Sequence, residues 1–140
     1  MAIEIRAAKT MDVKGIRNLI DTYAPQRRIL SKETVTLYES VQEFIVAVDG
    51  EEIVGCGAMH VLWEDVAEVR TVAVVEELRG KGVGHQILLK LIERAEAVGV
   101  KKIFCLTFET DFFGRHGFKE IEGAPVEPEV YQQLLRSYDE

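Results

Sequence analysis

Between Val66 and Phe108 the chain passes from strand pattern to glycine turn to amphipathic helix and back to strand pattern. That order most narrows what this chain can become. Val66 to Val74 is an apolar, β-branched run, and Gly80 to Gly84 is dense in glycine. Ile87, Leu88, Leu91, Ile92 and Ala95 then recur at the spacing of one helix face, and Gly99 stands where a left-handed residue would end that helix. Ile103 to Phe108 resumes the strand pattern. Two strands joined through a helix of this length should lie parallel, with a right-handed crossover.

The preceding residues supply the rest of a sheet. Ile3 to Ala7 alternates as an opening strand. Thr10 is placed to cap a helix, with Asp12 in its first turn, and Val13, Ile16, Leu19, Ile20 and Tyr23 form the apolar stripe. Pro25 ends that helix, Gln26 to Ser31 is a basic loop, and Thr34 to Val41 reads as a second short helix. Phe44 to Val48 and Ile53 to Trp63 are strands joined at Asp49-Gly50, a hairpin turn. Beyond Phe108 we expect a short helix over Asp111 to His116, a last strand from Gly117 to Ile121, and a helix over Glu129 to Arg136. The expected whole is one α/β (α+β) domain over residues 1–140, a mixed sheet with helices on both faces.

Charge and cysteines bound the function. A net charge of -7 argues against a nucleic-acid partner, which would call for a basic face. No apolar run approaches the ~20 residues that span a bilayer, so no membrane partner is expected. The N-terminal residues carry no signal pattern. Cys56 and Cys105 lie in strand-like runs at a spacing that fits no metal site, and we read them as packed thiols of a cytoplasmic protein.

Arg79-Gly80-Lys81-Gly82-Val83-Gly84-His85 is where ligand chemistry first shows. Glycines let backbone N–H groups approach a ligand, and a helix N-terminus attracts anions. Arg79 and Lys81 add charge suited to a pyrophosphate. The run is neither a P-loop nor a dinucleotide fingerprint, and taken alone it is compatible with a plain structural turn.

Arg79-x-x-Gly82-x-Gly84 resembles the Arg/Gln-x-x-Gly-x-Gly/Ala signature of GNAT acetyltransferases. It stands after Thr71-Val72-Ala73-Val74 and before a long helix, as in that family. Phe112-Phe113-Gly114-Arg115-His116-Gly117-Phe118 is similar to the family's aromatic-aromatic-x-x-x-Gly-Phe element. The resemblance implies a GNAT fold of about six to seven strands, with a splayed parallel strand pair around the coenzyme. It implies acetyl-CoA as co-substrate and no metal. Val72, Ala73 and Val74 would hold the coenzyme arm and polarise the acetyl oxygen through their backbone. Arg79, Gly80, Lys81, Gly82, Val83, Gly84 and His85 would hold the pyrophosphate. Val72, Ala73 and Val74 would equally serve as plain strand packing.

Glu68 matches the position of the glutamate that serves several GNAT enzymes as general base; the alternative is a solvated strand charge. Arg70 shares its face. It would pair with Glu68 or bind a substrate carboxylate bidentately. His60, in the neighbouring strand, is read as a satisfied core histidine before a proton relay. His116 is read as structural. Many family members carry a tyrosine general acid at the second aromatic position. Phe113 cannot donate a proton, so it is read as packing against the coenzyme. A thiol with an acidity near ~8.5 can leave as thiolate without it.

A narrower resemblance covers Ile29-Leu30 to Phe44, Val54 to His60, Glu68 to Val74, Phe104 to Thr107 and Arg136-Ser137-Tyr138. These stretches are similar to N-acetylglutamate synthases, above all the short form without a kinase domain. That resemblance implies glutamate as acceptor, with Lys32, Arg70, Arg136 and Ser137 binding its carboxylates, and a place in arginine biosynthesis. Arg27 and Arg28 are further loop cations, or simply solvated charges. The family's seventh strand would be minimal here or completed by a partner subunit, as in a homodimer. Transfer to another small amine or a protein N-terminus, and a non-catalytic acyl-CoA-binding module, are the alternatives.

Overall fold

The computed structural model describes residues 2–23, 33–105, 110–119, 121, 127–130 and 132–133. Among the described residues the main elements follow in the order β1 (Ile3–Ala7), α1 (Val13–Tyr23), α2 (Thr34–Glu39), β2 (Phe44–Asp49), β3 (Glu52–Trp63), β4 (Val66–Val74), α3 (Val83–Val98), β5 (Lys102–Cys105) and α4 (Thr110–Gly114). The five strands form one sheet in chain order, β1-β2-β3-β4-β5. β1 to β4 are antiparallel, and β5 joins β4 in parallel with Val66 beside Lys102 and Val69 beside Cys105. The parallel pair across a glycine turn and helix is thus as expected. The strand count is not: the described sheet has five strands rather than six to seven.

The expected strand from Gly117 to Ile121 does not form among the described residues. Its first donors are spent on ending α4. The Phe118 N–H donates to the Phe113 carbonyl at 3.1 Å, across Gly117 at φ 89°. Near the C-terminus, residues 128–130 and 132–133 are helical, overlapping the helix expected over 129 to 136 and beginning one residue before it.

Each sheet face carries its own core. On one face α3 sets Ile87, Leu88, Leu91 and Ala95 over Ile45, Ala47, Met59, Ala67 and Val69. On the other, Val13, Ile16, Leu19 and Ile20 of α1 and Leu37 of α2 cover Phe44, Val46, Val48, Cys56 and Ala58. Gly57 lets α3 come close: a Cβ there would stand 2.8 Å from Ile87 Cγ2.

The entry to α1 is organised by Asp12 rather than by the expected cap Thr10. The buried Asp12 carboxylate accepts from the Lys9 N–H at 2.7 Å and from Arg6 Nη1 and Nη2 at 2.7 and 3.0 Å. The Arg6 hydrogen bonds hold its carboxyl below the usual carboxylate range, against the opposing effect of burial. A lowered folded-state value means stability that is present at neutral pH and lost as pH falls. Asp12→Asn should therefore cost about 2 kcal/mol at neutral pH. In urea denaturation the gap to wild type should close as pH drops below about 4.

Candidate active site

β4 is irregular where the expected coenzyme-binding residues begin. Cys56 pairs with Ala73 and Ala58 with Arg70, so β4 carries one extra residue between them. Thr71 takes φ 57°, the one left-handed residue other than glycine among the described residues. The buried Cys56 thiol donates to the Thr71 carbonyl at 3.3 Å and holds the bulge from β3.

The bulge resets which way β4 side chains point. Glu68 lies opposite His60, and Arg70 opposite Ala58, on the α1/α2 face. Val72 and Val74, which unbroken alternation would put on that same face, pack instead with the α3-side core. Ala73, which alternation from Ala67 and Val69 would put under α3, crosses the other way to the α1/α2 face, beside Cys56.

Glu68 is 8% exposed, so the solvated strand charge does not describe it. Arg70 Nε donates to Glu68 Oε1 at 2.7 Å, which makes the pair a real contact. A partner within hydrogen-bond reach is what a buried carboxylate requires. His60 is not a buried core histidine. Its side chain keeps 35% exposure, and Nδ1 lies 3.1 and 3.0 Å from the two oxygens of Glu43.

On the α3 side, a short 3-10 turn over Glu76–Leu78 leads into the glycine turn. Gly80 and Gly82 sit at φ 78° and 87°, and nothing lies within 4 Å of a Cβ built at either. Lys81 N–H returns to the Leu78 carbonyl and Gln86 N–H to the Gly82 carbonyl. Between them lie the first-turn donors that a helix cannot satisfy internally. Arg79 and Lys81 are exposed beside them, and Arg79 Nε reaches the Val74 carbonyl at 3.5 Å. Open space, unsatisfied donors and two cations fit a diphosphate-bearing coenzyme. Val83 is buried in the α3-side core, so only its backbone can take part.

The aromatic element meets this turn through Phe112. The Phe112 ring lies 3.4 Å from where a Gly84 Cβ would stand, whereas Phe113 is buried among the α3-side residues with Phe118 at 5.2 Å. His85 and His116 also meet, Nδ1 to Nε2 at 2.6 Å, and His116 Nδ1 donates to the Phe112 carbonyl at 2.8 Å. That last bond places the His116 proton on Nδ1, so its Nε2 accepts from His85 Nδ1–H. Helix α3 and the aromatic element are thereby joined by polar bonds as well as by packing.

Lys32, Arg136 and Ser137, with Arg27 and Arg28, lie outside the described residues. Sequence reasoning missed Glu43 and Phe112. Glu43 meets His60 only through the β2–β3 register, which no local pattern reveals. Phe112 was open to discovery, as the neighbour of Phe113 in the same motif.

The acetyltransferase (GNAT) family model matches residues 14–118. The chain belongs to this acetyltransferase family. It is similar to an amino-acid acetyltransferase of Mycobacterium tuberculosis, 51% identical over 96% of this chain and 79% of that protein. An uncharacterized N-acetyltransferase of Chlorobaculum tepidum is 36% identical, covering 84% of this chain and 76% of its own length. A Mycobacterium tuberculosis crystal structure containing CoA aligns with a TM-score of 0.91 at 51% identity, over 97% of this chain and 83% of that one. N-acetylglutamate synthase from Neisseria gonorrhoeae, solved with coenzyme A and N-acetyl-glutamate, shares the fold. There the TM-score is 0.83 at 23% identity, over 99% of this chain and 33% of that one. Among the described residues no helix is long and apolar enough to cross a membrane, and no three His, Cys, Asp or Glu side chains gather as a metal site.

The surroundings of both cysteines disfavour the thiolate. Burial pushes Cys56 up to about 12. Burial, with the Glu68 charge adding to it, pushes Cys105 up to about 11. Both thiols should resist a disulfide reagent at neutral pH in the folded protein and react fully once it is unfolded in guanidinium. Rapid labelling of either thiol in the native state would contradict these environments.

Proposed function

We propose that this chain transfers the acetyl group of acetyl-CoA to the α-amino group of an amino acid, L-glutamate foremost, in a direct ternary complex. It would act in the cytoplasm, as the first step of arginine biosynthesis. The observation that carries this reading is the placement of the buried Glu68–Arg70 pair beside the β4 bulge. The likeness to an amino-acid acetyltransferase over nearly the whole chain supports it.

When bound, acetyl-CoA supplies an acetyl thioester that an amine can attack without an acyl-enzyme. The chain's task is then to hold the carrier, accept the acceptor and take a proton. The first turn of α3, from Gly80 to His85, would hold the pyrophosphate with Arg79 and Lys81. The bulged backbone from Val72 to Val74 would hold the carrier arm and polarise the acetyl oxygen. Glu68 would take the proton from the α-ammonium group as general base. Arg70 keeps the Glu68 carboxylate in place and adds positive charge to the acceptor side. Lys32, Arg136 and Ser137 are assigned to the acceptor carboxylates on the resemblance to N-acetylglutamate synthases. Phe113 is buried with the α3-side core, and we assign the ring beside the carrier to Phe112, which stands against Gly84.

Thiol release from acetyl-CoA, followed across a panel of amino acids, tests the reading. Glutamate should exceed the other amino acids in kcat/KM. Glu68→Gln should lower kcat about 100-fold or more. Turnover restricted to peptide N-termini would overturn the acceptor. Background release with every amine would replace the enzyme with an acyl-CoA-binding module.

A further inference from the structure

A base as enclosed as Glu68 must return its proton to water in every turnover. Its side chain is 11% exposed, and Arg70 occupies Oε1. Directly across the β3–β4 ladder stands His60, at 35% side-chain exposure. Residues opposite each other in an antiparallel pair project to one face, with Cβ atoms about 5 Å apart. Beside Glu68 stand Arg70, which is bonded to it, the Cys105 thiol and His60, of which His60 can take a proton at neutral pH and is more exposed than Glu68 itself.

Its orientation is set from a third element. Glu43, in the 3-10 turn that precedes β2, presents both carboxylate oxygens to His60 Nδ1 at 3.1 and 3.0 Å. A carboxylate cannot donate, so Nδ1 must carry the proton. In the neutral ring Nε2 is then a bare acceptor, and among the described residues it makes no hydrogen bond. A carboxylate that fixes one imidazole nitrogen as donor leaves the other as a base, and it stabilises the imidazolium once formed.

We propose that Glu43 and His60 form a proton-relay dyad that discharges Glu68. The inference rests on Glu68 being the base of the reaction proposed above. The acceptor ammonium gives one proton to the Glu68 carboxylate, and its freed lone pair forms the new bond to the acetyl carbon. The carbon–sulfur bond then breaks, the coenzyme leaves as thiolate, and the second proton lost by the nitrogen goes through water to that thiolate. The Glu68 carboxyl passes the first proton to His60 Nε2, directly or through a water molecule. The resulting imidazolium, paired with the Glu43 carboxylate, releases it to solvent. Glu68 returns to its ionised state and His60 to its Nδ1–H form. His60 carries the proton, and Glu43 is the positioning residue.

Two measurements on the full chain test the dyad. Ring ¹⁵N NMR in mildly alkaline buffer should show His60 protonated at Nδ1 and bare at Nε2, and Glu43→Gln should erode that preference. The opposite tautomer in the wild-type protein would overturn the proposal, whatever the acceptor is. In kinetics with the best amino-acid substrate, His60→Ala and His60→Asn should lower kcat about 10- to 100-fold, with both KM values within about twofold. Added imidazole should restore part of the kcat of His60→Ala; if that variant does not fold, His60→Asn carries the kinetic arm alone. Unchanged kcat, or a loss confined to KM, would remove His60 from the proton path. Absence of turnover with every amino acid would defeat the acceptor reading instead, and the tautomer would still decide the dyad.

Discussion

One extra residue in β4 holds this site together. Thr71 occupies a left-handed backbone conformation, which for a β-branched residue costs on the order of 1–2 kcal/mol. The strand tolerates it because the Cys56 thiol takes the Thr71 carbonyl from within the core and because the ladder resumes at Ala73. What the bulge achieves is a change of face. Before it, β4 sends Glu68 and Arg70 toward α1 and α2; after it, Val72 and Val74 join the core under α3. Regular alternation would have forced an ion pair and two valines onto the same face.

That change of face divides the labour across the sheet. The α3 side contains the apolar bed of the long helix, the glycine turn at its N-terminus and the Phe112 ring against Gly84. The α1/α2 side contains Glu68, Arg70, His60 and Glu43. In the proposed reaction, a carrier held on the α3 side and a base on the α1/α2 side would meet at the bulge, where the strand changes face. The His85–His116–Phe112 chain of hydrogen bonds ties the glycine turn to the aromatic element, so the two motifs behave as one wall.

Much of this was legible in the residues, because it depended on local pattern. The strand limits, the helix stripe from Val83 to Val98 and its stop at Gly99 follow from periodicity and from glycine's freedom at φ 98°. The parallel β4–β5 pair followed from the helix between them. Less legible were features set by partners far along the chain. Nothing around His60 announces Glu43, and nothing around Asp12 announces that Arg6, not Thr10, completes the helix entry. Among the described residues no strand follows Gly117, and a local bond competes with the pattern there: the Phe118 N–H serves the end of α4. Phe112 and Phe113 are adjacent and chemically alike, and only packing tells which one faces the glycine turn.

The account stands or falls on the coenzyme lying across the bulge and the glycine turn. Backbone amide NMR of the full chain, titrated with coenzyme A alone, reads that directly. The account predicts the largest shifts at Val72 to Val74 and at Gly80 to His85, with smaller ones at the exposed β1 edge. Shifts centred elsewhere, or none at saturating coenzyme, would contradict it.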